Sequence, residues 1–119
     1  MADESKDILT LLSGINSVED FSTNEKVILE TALDEMKAGY EEAKALIDSP
    51  ISVEEALMKY QQIDKKYREL RDKIDVELDR ISQLPDAADP VLSWRGEYTG
   101  RVGYIVSEMS MLMMEIMSK

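Results

Sequence analysis

The chain has neither histidine nor cysteine, which removes most of the side chains from which catalytic and metal sites are built. The commonest general base is missing, and so are thiolate nucleophiles, disulfides and iron–sulfur ligands. What remains is carboxylate chemistry. Glu41-Glu42, Asp48 and Glu54-Glu55 lie close together along the chain, and oxygen ligands of this kind hold hard cations such as Mg²⁺ or Ca²⁺. They lack the glycine-centred loop of an EF-hand, and acids near helix starts are favoured by the helix dipole anyway. Solvated surface is therefore the expectation for them. Bundle-core di-iron chemistry, which needs Glu-x-x-His pairs, is excluded. The hydroxyls of Thr10, Ser13, Thr99, Ser107 and Ser110 have no suitable base beside them, and no glycine-rich phosphate loop follows a strand. The expectation is a non-catalytic protein with no metal site and no cofactor.

Charge narrows the partners. Among 119 residues, 25 acids face 14 bases, a net charge of −11. Such a surface repels phosphate backbones and anionic headgroups, so neither nucleic acid nor a membrane is an expected partner. The opening Met-Ala-Asp-Glu-Ser-Lys-Asp is acidic where a secretory signal would be basic. The most apolar stretch, Val102 to Met117, carries Glu108 and Glu115 and falls short of the ~20 residues a membrane span needs. A cytoplasmic location follows as the default expectation. With 44% hydrophobic residues, one domain spanning 1–119 can bury a core.

The elements that would carry any site are helices. Ser22-Thr23-Asn24-Glu25 fits a capping box, and Leu29, Leu33, Met36, Tyr40, Ala43 and Ile47 then recur at spacings of four and three. This predicts a helix over about 24–48, stopped by Pro50. A second box, Ser52-Val53-Glu54-Glu55, opens a stripe from Val53 through Tyr60, Tyr67 and Ile74 to Ile81, predicting a helix over about 52–84. The short connection dictates an antiparallel, coiled-coil-like hairpin. If residue i opposes residue 100 − i, then Lys65, Lys66, Arg68 and Arg71 come level with Glu30, Asp34 and Glu35. Residues 1–58 hold 14 acids and 4 bases while residues 59–73 hold 6 bases and 3 acids, so charge favours that register. The basic run then reads as a hairpin flank rather than a nucleic-acid site. Asp89-Pro90 opens a third long helix over about 91–118, and Ile8 to Ile15 forms a short one over about 5–14. The fold class is an all-α antiparallel bundle of three long helices plus a short N-terminal helix.

The last helix carries two stripes. Tyr98, Val102, Ile105, Met109, Leu112 and Ile116 form the apolar one. Gly96, Gly100, Gly103, Ser107 and Ser110 follow the same spacing on nearly the opposite side, continuing into Met114 and Met117. A helix-interior glycine costs up to ~1 kcal/mol against alanine, so three in phase imply close approach by another backbone or a break near 96–103. The hairpin can cover one face. The short helix is too small to cover the other, which leads to a homo-oligomer, most simply a two-fold dimer. Trp94, Gly96, Gly100, Gly103, Ser107, Ser110, Met114 and Met117 are the candidate interface residues, although for Trp94 the favoured reading is a hydrophobic anchor in the first turn of the last helix. Five methionines in the last eleven residues (Met109, Met111, Met113, Met114, Met117) are expected to fill a core or a dimer seam. The alternative is an adaptable face for an apolar protein partner.

Two short resemblances supply alternatives. All-α nucleotide pyrophosphohydrolases hold Mg²⁺ with Glu-Glu-x-x-Glu on one helix and Glu-x-x-Asp on another. Glu41-Glu42-Ala43-Lys44-Ala45 resembles the first without its third acid, and Glu69-Leu70-Arg71-Asp72 resembles the second. That likeness implies a metal-dependent hydrolase of a nucleotide or phosphate, with Glu41, Glu42, Glu69 and Asp72 as ligands. Trp94-Arg95-Gly96 and Tyr104-x-x-x-Glu108 look like the marks of the WXG100 secretion substrates, here eight residues apart. This second likeness implies an exported helical hairpin that turns at Trp94-Arg95-Gly96.

Overall fold

In the computed structural model, residues 7–118 are described. They form four helices in chain order: α1 (Ile8–Ser13), α2 (Val18–Ala45), α3 (Val53–Ser82) and α4 (Ala88–Met117). The three long helices pack on one another as an all-α bundle, with α4 against both α2 and α3. The molecule measures 52 × 34 × 18 Å. No helix among the described residues is long and apolar enough to cross a membrane.

Local chemistry explains each start. The Ser52 hydroxyl accepts from the Glu55 N–H at 3.1 Å, so α3 begins at the anticipated cap. α2 does not. Ser17 caps it, accepting from the Asp20 N–H at 3.1 Å, while the Asp20 carboxylate accepts from the Asn16 N–H at 3.3 Å. The helix thus starts well before Ser22, which lies inside it and is exposed. The cause is Phe21, which is fully buried and reaches the core only if its backbone is already helical. α2 also ends short of the expected 48, its last turn tightening through the Ile47 N–H to the Lys44 carbonyl. α4 starts earlier than expected too: Ala87 is the cap, without a side-chain bond, and Asp89 and Pro90 lie within the first turn. Proline is tolerated there because that N–H has no helical partner. Helix is unbroken from Ala88 to Met117, so Gly96, Gly100 and Gly103 mark no break, and Trp94-Arg95-Gly96 forms no turn between helices.

The core is one apolar cluster joining all four helices, including Ile8 and Leu12 of α1, Phe21 and Ile28 of α2, Ile74 and Leu78 of α3, and Trp94 and Tyr98 of α4. A second cluster near the α2–α3 connection unites Ala43, Leu46, Ala56, Tyr60, Met109, Leu112 and Ile116. There the Tyr60 hydroxyl donates to the Met109 carbonyl at 3.0 Å.

The hairpin register differs from the charge-based expectation. Lys66 meets Glu42 at 3.8 Å, not Asp34, and the Tyr67 hydroxyl donates to the same Glu42 carboxylate at 2.7 Å. Arg68 turns to Asp64 within its own helix at 2.8 Å. What sets the register is packing: the Tyr67 ring lies flat against Gly39, where an added Cβ would come within 2.7 Å of it. Exposed ion pairs, worth ~0.2–1 kcal/mol, cannot compete with seating a buried aromatic ring.

Six residues are too few for a helix to persist alone, and α1 is held at both ends. Asp7 caps it from within, accepting from the Thr10 N–H at 2.7 Å. The Glu35 carboxylate of α2 accepts from the Ile8 N–H. At the other end Arg80 of α3 donates to the Leu12 and Ile15 carbonyls at 2.7 and 3.0 Å. An anion at the N-terminus and a cation at the C-terminus match the helix dipole. Burial raises the Glu35 pKa above its ordinary value, against the opposing pull of the Ile8 N–H. α1 packs on α2 and α3, and the outer side of α4 is exposed among the described residues.

Candidate functional site

α4 divides by helical phase into a buried stripe and an outward strip. Val91, Trp94, Tyr98, Val102, Ile105, Met109, Leu112 and Ile116 are buried. Turned away from them lie Leu92, Gly96, Gly100, Gly103, Tyr104, Ser107, Ser110, Met111 and Met114, all exposed. Beyond Asp89 in the first turn, the strip farthest from the core carries no charged side chain. The charges of α4 sit on its flanks instead: Arg95 reaches Asp79 and Asp75 of α3 at 2.9 and 3.4 Å, and Arg101 pairs with Glu97 at 3.0 Å.

The candidate interface residues therefore separate. Gly96, Gly100 and Gly103 lie on the strip, and an added Cβ at any of them would meet no described atom within 4 Å. Ser107 and Ser110 share it, the Ser110 hydroxyl donating back to the Val106 carbonyl at 3.2 Å. Met114 stands on it at 69% exposure, and Met117 borders it at 59%. Trp94 does not belong. Its ring stacks on Tyr98 at 5.0 Å, meets Phe21 edge-on at 6.0 Å, and donates its indole N–H to the Glu25 carbonyl at 3.0 Å. Trp94 thus anchors the chain's own core.

Of the five clustered methionines only Met109 enters the core; Met111, Met113, Met114 and Met117 are exposed. Core filling therefore fails for those four. Sequence reasoning also missed Leu92 and Tyr104, exposed at 69% and 70%. Both lie in phase with the glycines, so the spacing that singled out Gly96 and Gly100 could have found them.

A cleft of about 580 Å³ runs along the α3 flank of this strip, lined by Arg68, Arg71, Asp72, Asp75, Tyr98, Thr99, Val102, Gly103 and Val106. The Tyr98 hydroxyl is the single buried side-chain polar atom without a hydrogen-bond partner among the described residues. Burial pushes its pKa up to about 12, the negative charge of Asp75 adding to this while Arg71 and Arg95 act in the opposite sense.

The carboxylates of the hydrolase alternative do not converge. No three acids among the described residues are placed to hold a metal ion, so Glu41, Glu42, Glu69 and Asp72 make no shared ligand set. Glu42 is occupied by Tyr67 and Lys66.

No protein-family model, curated protein or solved structure matches the chain.

Proposed function

We propose that this protein acts without catalysis, by self-association through the outward strip of α4, most simply as a two-fold dimer, and that its exposed methionines extend that face toward an apolar protein partner. The observation that carries the reading is an uncharged strip, running from Leu92 to Met114, on a chain of net charge −11. Residues 91–119 balance three acids against three bases, so the whole excess lies upstream. Two copies approaching by their acidic faces bring like charges together; along this strip they do not. Glycines at 96, 100 and 103 would let two helix backbones approach closely. Tyr104, Met111 and Met114 supply apolar area, and methionine repacks readily against varied surfaces. A self-complementary helix face is what a two-fold interface requires. We take the cytoplasm as its setting by default, since a chain without cysteine fits reducing and oxidising compartments alike.

Sedimentation equilibrium tests this. The expected result is a mass near twice the 13.5 kDa of one chain, falling toward one chain when Gly100→Leu and Gly103→Leu are combined. A mass of one chain at every concentration, unchanged by those substitutions, would overturn it.

A further inference from the structure

We propose that the cleft between α3 and α4 binds a small organic carboxylate, its anionic group held by the Arg71 guanidinium and the Tyr98 hydroxyl and its hydrocarbon part lying on Val102 and Val106. The inference does not require self-association, although the cleft and the proposed interface meet at Gly103. It starts from two donors that lack an acceptor. Tyr98 is 5% exposed, and its hydroxyl, buried in the wall of the cleft, meets no partner. Leaving such a buried donor unpaired is unfavourable. Arg71 is half-buried in the same wall, and no hydrogen bond or ion pair engages it among the described residues. Of the other charges lining the cleft, Arg68 is engaged by Asp64 at 2.8 Å and Asp75 by Arg95 at 3.4 Å, while Asp72 is exposed on its rim.

A guanidinium only donates, and a phenol at neutral pH readily does so, so the missing group is an acceptor. A carboxylate is planar and matches the guanidinium fork with two parallel bonds. A phosphate dianion fits less well, because Asp72 and Asp75 line the same cleft and the chain is already strongly negative. At about 580 Å³ the cleft falls within the range of roughly 300–1,000 Å³ typical of small-molecule sites. Its valines give the remainder of the ligand an apolar floor.

The fold supplies its own reporter. Trp94 is the single tryptophan, stacked 5.0 Å from the Tyr98 ring, so a ligand bonded to that hydroxyl should change its emission. The test is titration of the full chain with sodium benzoate, followed by Trp94 fluorescence and by the backbone amide resonances of Arg71, Thr99 and Gly103. Saturable changes are expected, weakened at least tenfold in Arg71→Gln and severalfold in Tyr98→Phe, with the helical circular dichroism of both variants unchanged. A blocked glutamate dipeptide distinguishes the source of the carboxylate. Saturation at lower concentration than benzoate, still dependent on Arg71, would support the site and assign it to an acidic side chain of a partner. The proposal is overturned if benzoate produces no saturable change, if Arg71→Gln binds it as well as the parent, or if inorganic phosphate saturates the same signals at equal concentration. Because self-association is read from mass and this site from ligand titration, failure of one leaves the other standing.

Discussion

Gly39 and Tyr67 show how much one residue pair decides. Glycine in mid-helix is unfavourable by up to ~1 kcal/mol relative to alanine, yet Gly39 is buried and an added Cβ would fall within 2.7–2.9 Å of three Tyr67 ring carbons. The ring has little room to yield, since its hydroxyl is tied to Glu42 at 2.7 Å. Gly39→Ala should therefore destabilise by about 1–3 kcal/mol despite its better helix propensity, measured by urea unfolding. A gain in stability would mean that the ring moves freely. The same tyrosine makes an alkaline prediction. Burial first, and then the hydrogen bond to Glu42, push the Tyr67 pKa up to about 12, and burial pushes Tyr98 up to about 12 as well. The unfolded chain ionises near the ordinary value of ~10, before the folded one. Stability from both groups is then fully present below pH ~10 and is lost as pH rises toward 12. Melting temperature should fall across that interval, and less steeply in Tyr67→Phe; a flat profile would contradict the burial of these hydroxyls. Neither residue's role was legible from its type alone. Gly39 stands in no stripe with other glycines, and the partner of Tyr67 lies 28 residues away in sequence.

At the scale of elements, helix identity was readable and helix ends only in part. Spacings of four and three located all three long helices, because an amphipathic stripe is a property of the segment itself. The Ser52 box was right for the same local reason. The Ser22 box was not: Ser17 offers equivalent chemistry, with Asp20 three residues on, and only the burial of Phe21 against Trp94 decides between them. The charge-based register failed because surface ion pairs are weak beside packing. α1 was legible as an apolar turn, but not what holds it, since Glu35 and Arg80 come from two other helices. Arg80→Gln should release α1, because two carbonyls lose a charged donor at the cation-favouring end of the helix. Amide exchange in residues 8–13 should accelerate by tenfold or more, while α3 and α4 stay protected. Equal protection in the variant would show that apolar contacts of Ile8 and Leu12 suffice.

At the scale of the whole molecule, the separation of charge is the property that organises the account. The whole negative excess lies in residues 1–90, and beyond Asp89 in its first turn α4 presents a neutral outer strip. The sequence showed the two faces of α4 as stripes in antiphase. It could not show which face the chain covers itself, because that depends on where α1 docks. α1 settles on α2 and α3, and the glycine face is left in open space within one chain. Trp94 and Gly96 stand two residues apart, positions that do not share a helix face, so the expected role of Trp94 as a hydrophobic anchor separates from the interface reading of the glycines. Trp94 went inward.

The most direct measurement replaces Gly100 and Gly103 together by alanine and follows melting temperature and mass over a wide range of protein concentration. Helix propensity alone predicts a gain of ~0.5–1 kcal/mol for each replacement on an exposed helix. Close backbone approach between two copies predicts the opposite sign. The expected result is a lower, more concentration-dependent melting temperature and a mass shifted toward a single chain. A higher melting temperature, with one-chain mass before and after the change, would contradict the proposed role of α4.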